Sequence, residues 1–425
     1  MPEPKLTQDP QERVFLVFVN PDAADDHFVE QELEGLVEAA GGEACGSTRQ
    51  RIDRPHKAGY LGSGKVGEIG HYLVETEADV VVVDAELSGI QIRNLEEAWQ
   101  RKVLDRTTLI LDIFARRAKT TEGQLQVELA QLIYRLPRLM SVYTKFERQR
   151  GGIGMRGPGE TQLESDRRLV NARIARLKEA IEGVKQHRAM QRVARSSHPI
   201  PSLSLVGYTS AGKSTLMNRL CSTGLLVDAM PFATLDPTTR RVDSPNLTFF
   251  LTDTVGFIRN LPTQLVAAFR ATLEEVSGAD LLLHVVDVSH PDWEGQRDAV
   301  LETLMDIGAS DRPVLTVFNK IDALEDHTFA RQLVAEWPDS VAVSAKNGEG
   351  MADLFALISK MLRGGRSRIV AIVPYDQSQL VEACHKFGTV ITEDYREDGI
   401  WLEADVATEW LTRLAPYLVE GCPPP

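Results

Sequence analysis

The chain has 425 residues, of which 43% are hydrophobic and 25% charged, and its formal net charge is −14. This length predicts two to four domains with ample core, and the composition is ordinary for a globular protein. The N-terminus lacks the pattern of a secretory signal, no apolar run reaches about 18 residues, and the four cysteines lack CxxC spacing. We therefore expect a cytoplasmic protein with no integral membrane segment, disulfide framework or zinc site.

Residues 13–115 alternate between strand-like and helix-like patterns. Buried parallel strands are predicted at short runs of apolar residues, 14–19, 80–83 and, more briefly, 103–104. Apolar residues recur with helical spacing at residues 28–40, 66–77 and 90–100. Strands that alternate with helices in this way predict a small α/β domain, which we assign to residues 1–118.

Residues 119–195 are predicted to form a long helical hairpin. Apolar spacing fits one helix over residues 122–148 and another over residues 160–195. Residues 151–159 between them include five glycines and one proline, which excludes regular structure there. Two such helices, packed antiparallel, would extend about 40–50 Å at about 1.5 Å per residue.

The hairpin is also the basic part of an acidic chain. From Arg116 to Arg195 there are 18 Lys and Arg residues against 8 Asp and Glu residues, a local balance of +10. Such a segment is typical of an arm that faces a polyanion, although a solvated helical surface without a partner is the alternative. The arginines at the glycine-rich tip are the candidate RNA contacts: Arg148, Arg150 and Arg156.

Residues 207–214 have the sequence GYTSAGKS and fit the phosphate-binding pattern GxxxxGK(S/T). A strand-like apolar run precedes them and a helix-like run follows, which is the setting that this pattern requires. Backbone N–H groups of such a loop surround a β-phosphate at a helix N-terminus. We expect Lys213 to bind the β- and γ-phosphates and the Ser214 hydroxyl to ligate Mg²⁺.

Three further motifs follow predicted apolar strands. DTVG at residues 253–256 places Asp253 where it can hold a water of the Mg²⁺ shell. NKID at residues 319–322 supplies Asp322, whose carboxylate can accept both N1–H and N2–H₂ of guanine, a pair of donors that adenine lacks. SAK at residues 344–346 supplies a backbone N–H for guanine O6. Together with the phosphate-binding loop, this order of motifs predicts a GTPase domain that binds GTP and GDP.

Spacing alone leaves the switch threonine of this domain, residues 199–365, open. Thr234, Thr238 and Thr239 are all alternatives for the hydroxyl that completes Mg²⁺ coordination in the GTP state. Phe257 follows the DTVG motif, at the position where Ras-like enzymes have a glutamine that orients the attacking water. We therefore expect slow basal hydrolysis, with stimulation from outside the chain.

The tail, residues 369–425, is predicted to be a small acidic α+β domain. It includes a strand, a helix over residues 378–387, a hairpin with an Asp398-Gly399 turn and a last helix over residues 407–417. Its 10 acidic and 3 basic residues disfavour direct contact with RNA phosphates. A protein contact or a packing role is the better expectation.

Residues 151–168 (GGIGMRGPGETQLESDRR) closely resemble the signature of the HflX family of ribosome-associated GTPases, as do residues 124–130 (QLQVELA), 232–237 (FATLDP) and 253–258 (DTVGFI). The likeness runs from about residue 14 to the end and is weakest in the tail. It implies an α/β subdomain with a helical hairpin, a Ras-like P-loop GTPase domain and a small C-terminal domain. It further implies binding to the 50S ribosomal subunit and its 23S rRNA, with the hairpin tip toward the catalytic centre, and splitting of stalled 70S ribosomes.

The same resemblance assigns Thr234 as the switch threonine and implies roles in hydrolysis for Lys213, Thr234 and Gly256. Ser210 departs from the family, in which an asparagine that helps to bind potassium is common, so potassium stimulation is in doubt. The residues that we expect to contact GTP are Gly207, Tyr208, Thr209, Ser210, Ala211, Gly212, Lys213, Ser214, Thr215, Phe232, Thr234, Asp253, Gly256, Asn319, Lys320, Asp322, Ser344, Ala345 and Lys346.

Two other functions compete with ribosome binding. One is a GTP-dependent adaptor for a protein partner such as a membrane protease complex, but the charge concentrated on the hairpin favours RNA. The other is RNA remodelling with a second nucleotide site at residues 59–66 (GYLGSGKV), where Val66 cannot ligate Mg²⁺ and a structural turn or RNA-contacting loop is the simpler hypothesis. We expect a monomer, and peripheral association with a membrane stays open.

Overall fold

The computed structural model describes residues 11–19, 26–147, 158–195, 200–221, 231–232, 234–235, 237–244, 247–259, 276–363 and 366–419. Three sheets, of four, six and three strands, organise these residues. The predicted RNA contacts at the hairpin tip, Arg148, Arg150 and Arg156, lie outside the described residues. The mixed α/β class and the predicted P-loop domain are confirmed.

The N-terminal sheet is parallel and has helices on both faces. Its strands are β1 (Glu12–Val19), β2 (Gly42–Gln50), β3 (Val80–Val83) and β4 (Lys102–Asp105), in the order β2-β1-β3-β4. The helices are α1 (Asp26–Ala39), α2 (Ser63–Glu75), α3 (Gly89–Trp99) and α4 (Arg106–Arg117). Alternate residues of β1 enter two different cores, one shared with α1 and α4 and the other with α2 and α3. Strand β2 and helix α4 were absent from the sequence prediction.

The hairpin consists of α5 (Thr121–Glu147) and α6 (Pro158–Arg195). An apolar seam of Leu129, Ile174, Leu177 and Ile181 joins the two helices. Beside it, Arg173 donates two hydrogen bonds to Glu128, at 2.7 and 2.8 Å. Helix α5 continues through Pro137, and its Val127, Ala130 and Tyr134 enter the core beneath α4. The base of the hairpin is therefore anchored in the N-terminal domain.

The GTPase sheet has six strands in the order β10-β9-β8-β5-β7-β6. They are β5 (Ser202–Gly207), β6 (Thr238–Ser244), β7 (Leu247–Asp253), β8 (Leu281–Asp287), β9 (Val314–Asn319) and β10 (Ser340–Ala342). All adjacent pairs are parallel except β6 and β7. The described helices here are α7 (Lys213–Cys221), α8 (Trp293–Asp306), α9 (His327–Glu336) and α10 (Met351–Arg363). Because parallel strands end at one edge, the predicted motifs meet there.

The C-terminal sheet is antiparallel, in the order β11-β13-β12. Its strands are β11 (Arg366–Val373), β12 (Thr389–Arg396) and β13 (Gly399–Ala407). Helices α11 (Ser378–Phe387) and α12 (Thr408–Leu414) pack with the sheet in one small core. The last helix is shorter than predicted, since residues 415–417 form a 3-10 turn before the chain bridges back to Ala371.

Candidate nucleotide-binding site

The loop between β5 and α7 has the backbone geometry of a phosphate cradle. Gly207 and Gly212 have positive φ angles of +156° and +95°, and a Cβ on either would collide with Val285 O or Asn319 Nδ2. Ser210 also has a positive φ, of +60°. Successive N–H groups of such a loop converge at the start of α7, where an anion is stabilised. The glycine positions of the motif are thus required by close approach.

Lys213 is the first residue of α7, directly after this loop, and is 6% exposed. Its ammonium donates to Gly207 O at 3.0 Å and to Tyr208 O at 2.8 Å, so the side chain folds back over the loop. Burial lowers the pKa of Lys213 to about 8. The negative charge of a bound phosphate would favour its charged form.

Three oxygen atoms from separate segments meet beside Lys213. Ser214 Oγ lies 2.7 Å from Asp253 Oδ2 and 2.9 Å from Thr234 Oγ1, and Thr234 Oγ1 lies 3.1 Å from Asp253 Oδ2. The other carboxylate oxygen, Asp253 Oδ1, is buried without a hydrogen-bond partner among the described residues. Burial raises the pKa of the Asp253 carboxyl, and the Lys213 ammonium opposes that shift.

These distances fit a magnesium ion. Two ligands at 2.0–2.1 Å in neighbouring octahedral positions would be roughly 2.9–3.0 Å apart, close to the separation of the Ser214 and Thr234 hydroxyls. Of the three threonines that spacing left open, Thr234 is the one whose hydroxyl reaches this cluster. Thr239 instead pairs with Thr252, at 3.0 Å between their hydroxyls. A bound Mg²⁺ would supply positive charge to the phosphates and the leaving oxygen.

Asn319 joins the two ends of the pocket. Its amide Nδ2 donates to Ala211 O at 2.8 Å, and its Oδ1 accepts from Ala345 N at 3.0 Å. Both ends of the amide therefore hold the phosphate loop against the 344–346 loop. Asn319 is 2% exposed, so these bonds are shielded from water.

The carboxylate predicted to select guanine is held in place by its neighbour. Ser344 Oγ donates to Asp322 Oδ1 at 2.6 Å, and Asn347 N donates to Ser344 Oγ at 3.0 Å. Only part of the carboxylate is used in this way, which leaves acceptor capacity for a ligand. A carboxylate can accept two parallel hydrogen bonds from one base edge, which is the role predicted for Asp322.

Two contacts around this end of the pocket were missed in the sequence. Lys320 has a left-handed backbone, at φ +64°, and its ammonium pairs with Asp287 at 2.6 Å. Arg219 at the end of α7 donates to Ala345 O at 3.1 Å and also to Lys346 O. Asp287 ends β8, which has no recognised motif, so only its position at the common strand edge could have indicated it.

Phe257 forms part of the core and also ties the DTVG segment to the phosphate loop. Its side chain is 1% exposed. Its N–H donates to Gly207 O at 3.1 Å, and its carbonyl accepts from Thr209 N at 2.8 Å. Gly256 abuts Thr209, whose Cα would lie 2.9 Å from an added Cβ. A buried phenyl ring has no group that could orient a water molecule.

Phe232 was predicted to contact the nucleotide, but its ring has other neighbours. It is 2% exposed, has a φ of +57° and packs edge-on against Phe114 of α4, with ring centroids 4.7 Å apart. Thr215 lies in the first turn of α7. The contacts of both residues with a nucleotide stay predictions.

The second glycine-rich sequence lacks the setting of a phosphate loop. Strand β2 ends at Gln50, well before residues 59–66, and Gly62 precedes α2 as an N-cap residue without a side-chain hydrogen bond. Lys65 pairs with Glu68 on the same helix at 2.8 Å. Asn94 of α3 donates to Ala58 O at 2.7 Å and fixes the preceding loop. This arrangement favours a structural turn.

Other candidate features of the described residues have plain explanations. His284 is fully buried beneath the phosphate loop, and burial lowers its pKa to about 3, so the ring is neutral. No cluster of three His, Cys, Asp or Glu side chains suitable for a metal occurs in the described part of the chain. Within those residues, too, no helix combines the length and the apolarity needed to cross a bilayer.

Three family matches cover most of the chain. Residues 29–115 match the family described as GTP-binding GTPase N-terminal, and residues 117–195 match GTP-binding GTPase Middle Region. Residues 202–320 match the family described as 50S ribosome-binding GTPase. The three matches follow one another in the order of the N-terminal sheet, the hairpin and the P-loop domain.

Curated relatives match over nearly the whole length. GTPase HflX of Lacrimispora saccharolytica is 46% identical over 407 residues, which are 95% of this chain and 96% of that protein. GTPase HflX of Escherichia coli is 44% identical over 373 residues, 87% of each chain. A GTP-binding protein from Sulfolobus solfataricus, solved in complex with GDP, is 25% identical and covers 83% of this chain and 99% of its own, with a TM-score of 0.46. The chain belongs to the HflX family of GTPases, and its activity is the hydrolysis of GTP.

Proposed function

We propose that this GTPase binds the 50S ribosomal subunit in its GTP state, splits stalled 70S ribosomes and is released by hydrolysis. The observation that carries this proposal is the joint anchoring of the basic hairpin and the GTPase pocket on one N-terminal core. Val127 and Tyr134 of α5 lie in the same core cluster as Val255 and Phe257 of the GTPase domain. Docking of the hairpin on rRNA can therefore bias the residues beside the nucleotide.

The exposed surface of the hairpin supports an RNA partner. Among its described residues the outward-facing cations include Arg135, Arg167, Arg168, Arg176 and Lys178. Arg168 exposes 78% of its side chain and pairs with Glu164 one turn earlier, at 2.8 Å. Cations on a long projecting element contact phosphates without sequence preference, and the glycines of the tip would permit close approach of the backbone.

The pocket supports a defined division of roles. Lys213 would bind the β- and γ-phosphates, Ser214 and Thr234 would ligate Mg²⁺, and Asp253 would hold the ion through water. Gly256 would sense the γ-phosphate through its backbone. Asp322 would select guanine, with Asn319, Lys320 and the 344–346 loop shaping its surroundings. A cytoplasmic monomer, with domains at residues 1–118, 119–195, 199–365 and 369–425, completes the proposal.

Co-sedimentation with purified 50S subunits tests the proposal. We expect the full chain to pellet with 50S in a non-hydrolysable GTP analogue and to stay in the supernatant in GDP. Splitting is then followed as the conversion of 70S particles to subunits by light scattering. Equal, weak binding in both nucleotides would contradict ribosome docking and would favour the adaptor function. Binding without loss of 70S particles would contradict splitting alone.

A further inference from the structure

The N-terminal domain packs directly on the two segments that sense the nucleotide. Phe232 and Leu235, on either side of Thr234, are 2% and 3% exposed and lie in one core with residues of α1 and α4. The ring of Phe114, in α4, contacts that of Phe232 edge-on. At Gly35 the backbone of α1 approaches the ring of Pro231, since an added Cβ would lie 3.6 Å from its Cγ. The segment that includes Thr234 is thus held by another domain.

A network of hydrogen bonds and ion pairs connects the same domain to the phosphate loop and the DTVG segment. Arg106, with 8% of its side chain exposed, pairs with Asp84 at 2.8 Å and with Glu32. Glu32 in turn accepts a hydrogen bond from the Tyr208 hydroxyl of the phosphate loop. That hydroxyl accepts from Arg259 N at 3.0 Å, and Arg106 donates to Arg259 O at 3.4 Å. Both the backbone N–H and the backbone carbonyl of Arg259, three residues after Gly256, therefore take part in this network.

This network is buried, so each of its polar groups needs its hydrogen-bond or ion-pair partner. Tyr208 is 4% exposed, and burial together with the Glu32 carboxylate raises the pKa of its hydroxyl, which stays a donor. Breaking one link would leave a charge or a hydroxyl without a partner in a region of low dielectric, which is costly. The two segments are consequently fixed in the arrangement that brings Thr234 to Ser214 and Asp253.

We propose that Phe114 and the Glu32–Arg106 pair are positioning residues for the GTPase site: they hold Thr234 and Gly256 in the arrangement that GTP and Mg²⁺ require. The N-terminal domain thereby raises the preference of the pocket for GTP over GDP. GDP lacks the γ-phosphate that Thr234 and Gly256 would serve, so its affinity does not depend on their positions. By linkage, GTP in turn tightens the packing of the two domains.

The ratio of GTP to GDP affinities of the full chain tests the proposal. Fluorescent GDP and a fluorescent non-hydrolysable GTP analogue are titrated into Phe114→Leu and Glu32→Gln. We expect the analogue to bind at least about fivefold more weakly and GDP to change by less than about twofold, within the usual range of coupling between sites. A purely structural role would weaken both nucleotides alike.

Each variant has a matched control in the same domain. Phe15 is 2% exposed on the opposite face of the same sheet, in the core with α2 and α3, so Phe15→Leu removes an equally buried ring away from the GTPase domain. Glu30 is on the same helix as Glu32 but pairs with Arg49 at 2.8 Å, so Glu30→Gln removes a charge outside this network. Neither control should change the affinity ratio.

Two results would overturn the proposal: an unchanged ratio, whether both affinities stay the same or fall alike, or a ratio that rises because the domain opposes the GTP arrangement. If Phe114→Leu does not fold, a double-mutant cycle of Glu32→Gln and Tyr208→Phe tests the proposal instead. Tyr208→Phe removes the hydroxyl that donates to Glu32. The two changes should then be non-additive in binding of the GTP analogue, and additive effects would show that their contact does not position the site.

Discussion

The nucleotide pocket and the helical hairpin are built in opposite ways. In the pocket, Lys213, Asn319 and Ser344 are at most 6% exposed, and hydrogen bonds from three segments fix their side chains. On the hairpin, an apolar seam holds two helices together and cations such as Arg168 and Arg176 face outward. The pocket therefore selects by the placement of single atoms, whereas the hairpin offers charge that is screened by salt.

Turnover with and without the 50S subunit connects the two regions and has the largest expected effect. Phe257 supplies no water-orienting group, so basal turnover should lie near the roughly 10⁻⁴–10⁻² s⁻¹ of unassisted GTPases. We expect the 50S subunit to accelerate steady-state hydrolysis by about 10²-fold or more, approaching the roughly 10³-fold that an added catalytic group provides.

Two variants control this measurement. Lys213→Ala should abolish both rates, and Phe257→Leu should leave nucleotide affinity almost intact. Fast intrinsic turnover that 50S subunits do not change would mean that the pocket alone holds a complete catalytic set.

Base selection is the sharpest prediction for the pocket. Asp322→Asn should weaken GTP binding on the order of 10²-fold or more, because a charge-assisted pair of hydrogen bonds to guanine is lost. Xanthine nucleotides should gain affinity, since the new amide can donate to the oxygen that replaces the guanine amino group. Competition binding of GTP and XTP measures the change, with Asp326→Asn, which alters the cap of α9, as the control. An unchanged GTP to XTP ratio would refute the assignment.

The proposed metal site predicts different effects of substitution at two nearby threonines. Thr234→Ala should reduce the Mg²⁺ affinity of the complex with a GTP analogue by about tenfold or more, in line with the loss of groups that hold a metal. Thr239→Ala removes only a hydroxyl that pairs with Thr252 and should leave Mg²⁺ affinity unchanged. Mg²⁺ titrations of nucleotide release compare the two. Equal effects would mean that the hydroxyl cluster around Ser214 does not form the metal site.

Of these variants, those at the hairpin tip should have the smallest effect, and the effect should depend on salt concentration. Neutralising Arg148, Arg150 and Arg156 together should weaken 50S binding and reduce its dependence on salt by up to about three counterions. Isolated GTP binding should not change. Binding measured from low to moderate salt gives the slope, and neutralising the exposed Arg312, Arg331 and Arg368 controls for net charge. Binding that is equally tight and equally sensitive to salt in the tip variant would exclude rRNA contact there.

Much of the pocket could be predicted because its chemistry is local. A glycine is needed where the chain has positive φ or close neighbours, and a carboxylate or amide is needed at a strand end. Such requirements recur at fixed spacing, as at Gly207, Asp253 and Asn319. Strand β2 was missed for the opposite reason. It is an edge strand with the sequence GEACGSTRQ, and without an apolar run it has no signal of its own.

The amino-acid sequence by itself determined the P-loop fold, the guanine and phosphate motifs, the two long helices and the concentration of basic charge on them. These features depend on residues close together in the chain. Only the tertiary structure brought the Thr234 hydroxyl to Ser214 and Asp253, paired that of Thr239 with Thr252 and placed Asp287 beside Lys320. It alone brought Glu32 and Arg106 to Tyr208. The contacts of Glu32 with Tyr208 and of Arg106 with Arg259 join residues more than 100 positions apart, which become neighbours only when two separate sheets share one core.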